Sequence, residues 1–142
     1  MHISMCRSAF IVICIVLQGC PGKLPPPYIE QYWEKGGEGV VEVSQALLEC
    51  GANNPFHDPN LFPYPKGMEF LNEWAKVELC MIRDGYTYKR KTGTKCDRDI
   101  AGDLTICSPE NEHLVPQRDV DARLNSAFCH DPWYSRYPAC SQ

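Results

Sequence analysis

Six cysteines lie between residues 50 and 140 of this 142-residue chain, and they limit how it can fold: Cys50, Cys80, Cys96, Cys107, Cys129 and Cys140. In an exported chain, an even number of cysteines at this density is typical of three disulfide bonds, because the compartment is oxidising and a small core benefits from cross-links. Zinc sites use closer pairs such as C-x-x-C, which the sequence lacks. Disulfides are therefore the favoured interpretation, and the count alone leaves their pairing open.

The first 20 residues have the layout of an export signal. A short polar segment that carries Arg7 is followed by an apolar stretch from Ala9 to Leu17, and then by Gly19 and Cys20. A helix that crosses a bilayer needs about 20 apolar residues, and this stretch is less than half that length. We therefore expect a cleaved signal peptide over residues 1–19 and not a permanent membrane span.

The end of this leader, Leu17-Gln18-Gly19-Cys20, resembles a bacterial lipobox, in which a signal peptidase cuts before a diacylated cysteine. The resemblance implies that Cys20 becomes the lipidated first residue of the mature chain, which attaches it to a membrane of the bacterial cell envelope. Pro21 is not the aspartate associated with retention in the inner membrane, so the outer membrane is favoured. The alternatives are an ordinary cleaved signal that leaves Cys20 as a thiol, and an uncleaved anchor.

The mature chain then divides into a tether and one domain. Residues 20–28 contain the lipidated cysteine and a proline-rich stretch, which favours an extended spacer of about 3.1 Å per residue. Residues 29–142 are long enough for a single disulfide-rich globular domain with a modest core. A proline-rich recognition ligand is the alternative interpretation of the tether.

The net charge of the mature chain argues against nucleic acid as a partner. Loss of Arg7 with the leader leaves 13 basic and 18 acidic residues, or a net charge of −5. Nucleic-acid binding is disfavoured, because it needs a clustered basic face. Attachment to the membrane is expected through the lipid on Cys20 and not through electrostatic adhesion to anionic headgroups.

Helical periodicity is present in three segments. Val40 to Cys50 forms an amphipathic pattern that ends at Gly51, with Glu49 on its polar side, and Lys66 to Gly85 forms a longer one. In the second segment Glu78 falls within the apolar arc, where a rim position reaching water or a backbone partner is favoured over a functional carboxylate. Cys80 falls on the polar side, so its disulfide is expected to draw another segment across that face. Asp119 to Cys129 predicts a short third helix with Val120, Leu124, Ala127 and Phe128 on one face.

The segments between the predicted helices are rich in turn formers. Gly51 to Pro65 predicts a long loop, pinned by Phe56, Phe62 and Tyr64. The basic run from Tyr88 to Lys95 suits a short β-hairpin around Gly93 and is expected to be solvated, with an acidic partner as the alternative. Residues 97–108 partly match a calcium-binding loop, but Ala101 at the fifth position has no ligand oxygen and Ser108 replaces the bidentate glutamate at the twelfth, so calcium is not expected.

Three segments resemble those of short, cysteine-rich lipoproteins of Gram-negative bacteria: Tyr32-Trp33-Glu34-Lys35-Gly36, Leu47-Leu48-Glu49-Cys50-Gly51 and Cys80-Met81-Ile82-Arg83-Asp84-Gly85-Tyr86. The similarity covers roughly residues 17–86. It implies an architecture of lipid anchor, turn and two helices that end in C-G and C-M-x-x-x-G-Y. It implies no activity and no catalytic residue.

The predicted fold is mainly α, a small disulfide-stapled helical domain with long loops and room for one short β-hairpin. Cys50–Cys80 is the favoured disulfide, because both cysteines lie in the last turns of successive helices. For the other four cysteines the local choice is Cys96–Cys107 and Cys129–Cys140, and the remaining pairings stay open.

The sequence contains no catalytic motif. Ser126, His130 and Asp131 supply the residue types of a hydrolytic triad, and Cys129 with His130 those of a thiol nucleophile, but residue types do not establish geometry. G-x-S-x-G, H-E-x-x-H and phosphate-binding glycine loops are absent. We expect His57, His113 and His130 to be surface residues, and we expect neither an enzyme nor a bound metal or cofactor.

The leading functional hypothesis is a binding or structural lipoprotein that meets an envelope or extracellular protein through exposed aromatic residues. The candidates are Tyr28, Tyr32, Trp33, Trp133 and Tyr134. An inhibitor or immunity protein that acts on an envelope enzyme is the alternative within the same class, and a small periplasmic hydrolase is the alternative from another class.

Overall fold

The computed structural model describes residues 29–56 and 67–142, which form a mainly α domain. The predicted signal peptide, Cys20, the tether, Tyr28 and His57 lie outside these ranges. The helices are α1 (Val40–Glu49), α2 (Met68–Arg83), α3 (Val120–Leu124) and α4 (Ala127–His130), and the single sheet of the described part pairs β1 (Trp33–Glu34) with β2 (Thr87–Tyr88). Short 3-10 helices span Ile29–Tyr32, Lys95–Asp97, Asp99–Asp103, Thr105–Cys107, Pro109–Leu114 and Pro138–Cys140. The predicted fold class is confirmed.

Both long helices end in the same way, at the glycines that the sequence predicts. Gly51 and Gly85 have φ angles of 96° and 87°, a left-handed conformation that favours glycine. After α1 the N–H of Ala52 donates to the carbonyl of Leu47 at 2.9 Å, and after α2 the N–H of Tyr86 donates to the carbonyl of Met81 at 3.0 Å. These bonds satisfy carbonyls at the end of each helix and turn the chain back over it.

The Cys50–Cys80 disulfide joins these two helix ends, with 5.7 Å between the Cα atoms. Both cysteines are fully buried and belong to the main core, which α1, α2, β1 and the segment from Leu104 to Val115 build together. The other two disulfides, Cys96–Cys107 and Cys129–Cys140, each join cysteines that are 11 positions apart in the sequence. All three pairings are those favoured from the sequence.

The two-stranded sheet is not the predicted hairpin around Gly93. Trp33 pairs with Tyr88 and Glu34 with Thr87 in an antiparallel register, so the partner of β2 lies more than 50 residues earlier. After Gly93 the chain turns into a 3-10 helix, because the carboxylate of Asp97 accepts hydrogen bonds from both the backbone N–H and the hydroxyl of Thr94. Residues 95–97 are therefore helical and cannot form the second strand of a local hairpin.

The predicted third helix is broken into α3 and α4. The hydroxyl of Ser126 accepts a hydrogen bond from the N–H of Cys129 and so starts a new helix in the middle of the predicted one. The expected apolar face is also wrong in part, because Val120 and Ala127 are exposed. The fully buried side chain of α3 is a charged one, Arg123.

Glu78 is a buried residue and not the predicted rim residue, although it does have the expected backbone partner. Its side chain is 1% exposed and accepts hydrogen bonds from the N–H of Lys95 at 2.5 Å and from the indole of Trp74 at 3.1 Å. Burial raises the pKa of Glu78, while the ammonium of Lys95, 3.6 Å away, opposes that rise. Lys95 is equally buried, so the prediction that the whole basic run is solvated is wrong at its last residue.

A second buried carboxyl, Glu30, lies in the 3-10 helix that opens the domain. It is 4% exposed, and its Oε2 atom has no hydrogen-bond partner. Burial raises the pKa of Glu30 from 4.5 to about 7. Between these two values the folded state keeps a proton that the unfolded state releases, so the free energy of unfolding falls as the pH rises through this interval.

We therefore expect Glu30→Gln to remove a pH dependence of stability. The shift in the pKa of Glu30 corresponds to a loss of about 3 kcal/mol between pH 4.5 and 7. Urea denaturation at pH 5 and pH 7.5 measures it, with the exposed Glu34→Gln as the matched control. An equal drop in stability in wild type and Glu30→Gln would contradict this assignment.

Candidate functional site

Residues 129–140, which we term the C-terminal loop, form a closed loop that starts within α4. The Cys129–Cys140 disulfide holds the two ends with 5.3 Å between their Cα atoms. Inside the loop, the carbonyl of Asp131 accepts hydrogen bonds from the N–H groups of Tyr134 and Ser135, and the Asp131 carboxylate accepts one from the N–H of Trp133 at 2.7 Å. The backbone is thereby fixed on both sides of Trp133.

The inner side of the C-terminal loop is packed with aromatic rings. Tyr134 stacks on Phe128 with 4.6 Å between ring centroids and 15° between ring planes. Tyr137 meets Phe56 edge to face at 5.0 Å. With Leu48 of α1, these side chains form a second hydrophobic cluster. Burial of this cluster anchors the loop on the helical body.

Arg123 fastens the end of the C-terminal loop to α1. Arg123 is 4% exposed, and its guanidinium donates hydrogen bonds to the carbonyls of Ala139 and Ser141 and to the Oε1 atom of Glu49, the last at 2.9 Å. A buried charge is tolerated only when it is paired and its donors are satisfied. Arg123 therefore holds the chain end in place through one ion pair and two carbonyls.

The same carboxylate of Glu49 extends this cluster to the end of α2. Its Oε2 atom accepts a hydrogen bond from Arg118 at 2.7 Å, and Arg118 also binds the carboxylate of Asp84 at 2.6 Å. Lys35 donates to the same oxygen of Asp84 at 3.1 Å. Partial burial raises the pKa of Asp84, but Arg118 and Lys35 outweigh this effect and hold that pKa below its usual range. The C-terminal segment, both helix ends and the turn after β1 thus share one network of charges.

Trp133 is the exception to this inward packing. Its side chain is 89% exposed, whereas the other exposed large apolar residues of the described chain are 43–51% exposed. Scattered aliphatic side chains at a surface need no explanation, but a tryptophan on a rigid loop is the residue type that dominates binding energy at protein interfaces. The exposed residues His130, Pro132 and Arg136 flank it in sequence.

The structure separates the aromatic residues that were predicted to form a binding surface. Trp33 is 2% exposed and packs against Tyr88, so it belongs to the core and the prediction that it is an exposed aromatic residue is wrong. Tyr32 is half-buried, with the guanidinium of Arg90 over its ring, and Tyr134 packs inward. Trp133 alone among the described candidates is exposed as predicted, and Tyr28 lies outside the described residues.

Two members of the candidate hydrolytic triad, Ser126 and Asp131, and the candidate thiol of Cys129 are engaged in local structure. The hydroxyl of Ser126 caps α4, Cys129 is in a disulfide, and the carboxylate of Asp131 accepts from the N–H of Trp133. His113 and His130 are exposed, and His57 lies outside the described residues.

Residues 29–56 and 67–142 lack two further features. No group of three or more histidine, cysteine, aspartate or glutamate side chains in these ranges is placed to hold a metal ion. No helix there is long and apolar enough to cross a membrane. Cys20, the predicted lipidation site, lies outside them.

Comparison with known proteins adds no assignment. No protein-family model matches the chain, and neither the curated proteins nor the solved structures gave a significant match.

The packing of the C-terminal loop predicts that substitution of two neighbouring aromatic residues affects stability to very different extents. Trp133→Ala should change the free energy of unfolding by less than about 0.5 kcal/mol, because its side chain buries little surface. Tyr134→Ala should lower it by about 2 kcal/mol, because the ring stacks on Phe128. Urea denaturation of both variants tests this. Equal destabilisation by both would mean that Trp133 has a structural role.

Proposed function

We propose that this protein is a lipid-anchored binding module of the bacterial cell envelope, with the outer membrane as the favoured location. In this proposal residues 1–19 are removed, Cys20 carries the lipid, and residues 20–28 hold the domain away from the membrane. The layout of the first 20 residues supports it. The three disulfides of the domain support export independently, because such bonds persist in oxidising compartments.

We further infer that the C-terminal loop contacts an envelope or extracellular protein, with Trp133 as the central side chain. The exposure of Trp133 on a loop whose other aromatic rings pack inward is the observation that carries this inference. Because the disulfide, the Asp131 turn and Arg123 already fix the loop, binding would order little additional chain. Burying an indole at the centre of an interface is worth about 2 kcal/mol or more.

The anchor is tested by the intact, unreduced mass of the protein extracted from membranes of the producing cell. We expect the mass of residues 20–142 plus a lipid and minus six hydrogens, because the six cysteines of the domain are oxidised. The Cys20→Ser variant, which cannot carry the lipid, is the control. A free thiol on Cys20 or an uncleaved leader would overturn the proposed anchoring.

The contact surface is tested by photo-crosslinking in the producing cell. Benzoylphenylalanine in place of Trp133 should give one discrete adduct, and the same probe at Met68, which is exposed on α2, should not give it. The partner identified in that adduct should then bind the Trp133→Ala variant about thirtyfold more weakly than wild type. Val40→Ala, at another exposed apolar position, is the matched control for affinity.

Either of two results would contradict the assignment of the C-terminal loop. One is the same set of adducts from positions 133 and 68, and the other is equal affinity of the partner for wild type and Trp133→Ala.

A further inference from the structure

Cys96–Cys107 is the one disulfide of the three in which neither cysteine is buried. Both of its cysteines are half-buried, whereas those of the disulfide between α1 and α2 are at most 1% exposed. In the third disulfide Cys140 is half-buried, but Cys129 is only 8% exposed. A thiolate opens a disulfide by attacking one of its sulfur atoms directly, so the reaction requires access to that sulfur. Cys96–Cys107 is therefore the bond that a thiol reaches most readily in the folded domain.

Two clefts give access to this disulfide, and Cys107 lines both. One cleft has a volume of about 420 Å³ and is lined by Cys107 together with Ile82 of α2 and Pro109. The other has a volume of about 540 Å³ and is lined by Cys96 and Cys107. Because Cys107 can be approached from two clefts and Cys96 from one, the sulfur of Cys107 is the more open to attack.

The disulfide holds a turn whose first residue belongs to a buried ion pair. Cys96 lies in the 3-10 helix Lys95–Asp97. Lys95 is 1% exposed, its N–H donates to the Glu78 carboxylate of α2 at 2.5 Å, and its ammonium lies 3.6 Å from the same carboxylate. A buried carboxylate is tolerated only with such partners. Opening the disulfide would remove the covalent constraint on the residue next to this pair.

The other end of the cross-linked segment has its own attachment to α2. Cys107 ends the 3-10 helix Thr105–Cys107, in which the N–H of Ile106 donates to the Oδ1 atom of Asn72 at 3.1 Å. This bond does not depend on the disulfide. We therefore expect an opened disulfide to loosen the segment at Lys95 while Ile106 stays in place.

We propose that Cys96–Cys107 is a site of reversible thiol–disulfide exchange with a dithiol protein of the cell envelope, and that its opening loosens the turn at Lys95 from Glu78. The choice of an envelope partner rests on the proposed location of the protein. The exchange itself is independent of that location and of the contact proposed for the C-terminal loop.

The exchange takes two steps. A thiolate of the partner attacks the Sγ atom of Cys107, a mixed disulfide forms, the Cys96–Cys107 bond breaks, and Cys96 leaves as a thiolate. The second thiol of the partner, also as a thiolate, then attacks the partner's sulfur in the mixed disulfide and releases Cys107 as a thiolate. The chain gains two electrons and, once both thiolates are protonated, two protons. The partner's dithiol is oxidised to a disulfide.

The order of reduction tests the accessibility of the site. The folded, oxidised chain is incubated with dithiothreitol, quenched with acid at successive times, alkylated with N-ethylmaleimide and mapped by peptide mass. We expect Cys96–Cys107 to open at least about tenfold faster than the other two disulfides, because its sulfurs are the most exposed. Equal rates for all three bonds, or earlier opening of Cys129–Cys140, would overturn the proposal.

A monothiol tests the direction of attack. When 2-mercaptoethanol replaces dithiothreitol and N-ethylmaleimide traps the products, we expect the mercaptoethanol adduct on Cys107 and the maleimide on Cys96. An equal or larger amount of the adduct on Cys96 would contradict attack at Cys107.

Amide hydrogen exchange tests the link to the buried ion pair. In the variant Cys96→Ser/Cys107→Ser the amide of Lys95 should exchange about tenfold faster than in wild type, while the amide of Ile106 keeps its protection. The matched control is Cys129→Ser/Cys140→Ser, which lacks a disulfide of the same sequence separation and should leave the amide of Lys95 protected. Equal protection of Lys95 in all three proteins would show that the disulfide does not control this turn.

Discussion

The buried carboxylate of Glu49 is the interaction on which the arrangement of this domain depends. It is 6% exposed and is bound by Arg123 on one oxygen and by Arg118 on the other. The next residue is Cys50, whose disulfide joins the ends of α1 and α2. The covalent link between the two helices and the ionic link to the C-terminal segment therefore meet at adjacent residues. Removing one partner of such a buried group is strongly destabilising, because the remaining charges stay desolvated.

This cluster explains how a small domain can present Trp133 without burying it. The C-terminal loop is fixed from three sides: by its own disulfide, by the stacking of Tyr134 on Phe128, and by the bonds from Arg123 to the carbonyls of Ala139 and Ser141. An exposed indole on a loop with few alternative conformations loses little entropy on binding. The exposure of Trp133 is thus a property of a rigid surface and not of a frayed chain end.

The parts of the fold that the sequence predicts are those set by local chemistry. The helical periodicity of residues 40–49 and 68–83, the glycines that end both helices, and the three disulfide pairings all follow from residues close in sequence or at the ends of successive elements. In the candidate site, the exposure of Trp133 is predicted as well, whereas the inward packing of Tyr134 on Phe128 is not.

The residues that were misjudged are buried by segments far along the chain. Glu49 lies on the polar side of α1, and it is buried because Arg118 and Arg123 bind it from about 70 residues away. Trp33 is covered through the pairing of β1 with β2, and Lys95 through its contact with Glu78. In each case a side chain that suits the surface by its type or pattern is buried by a long-range contact that no local pattern encodes.

Amide hydrogen exchange on the Glu49→Gln variant tests most directly whether this carboxylate holds the C-terminal loop. The side chain keeps its size and loses its charge, so Arg123 loses its ionic link to α1. We expect faster exchange, by about tenfold or more, at the hydrogen-bonded amides of Tyr134, Tyr137 and Cys140, while the amides of α2 keep their protection. Unchanged exchange at the loop amides, or an equal acceleration throughout the domain, would contradict this account.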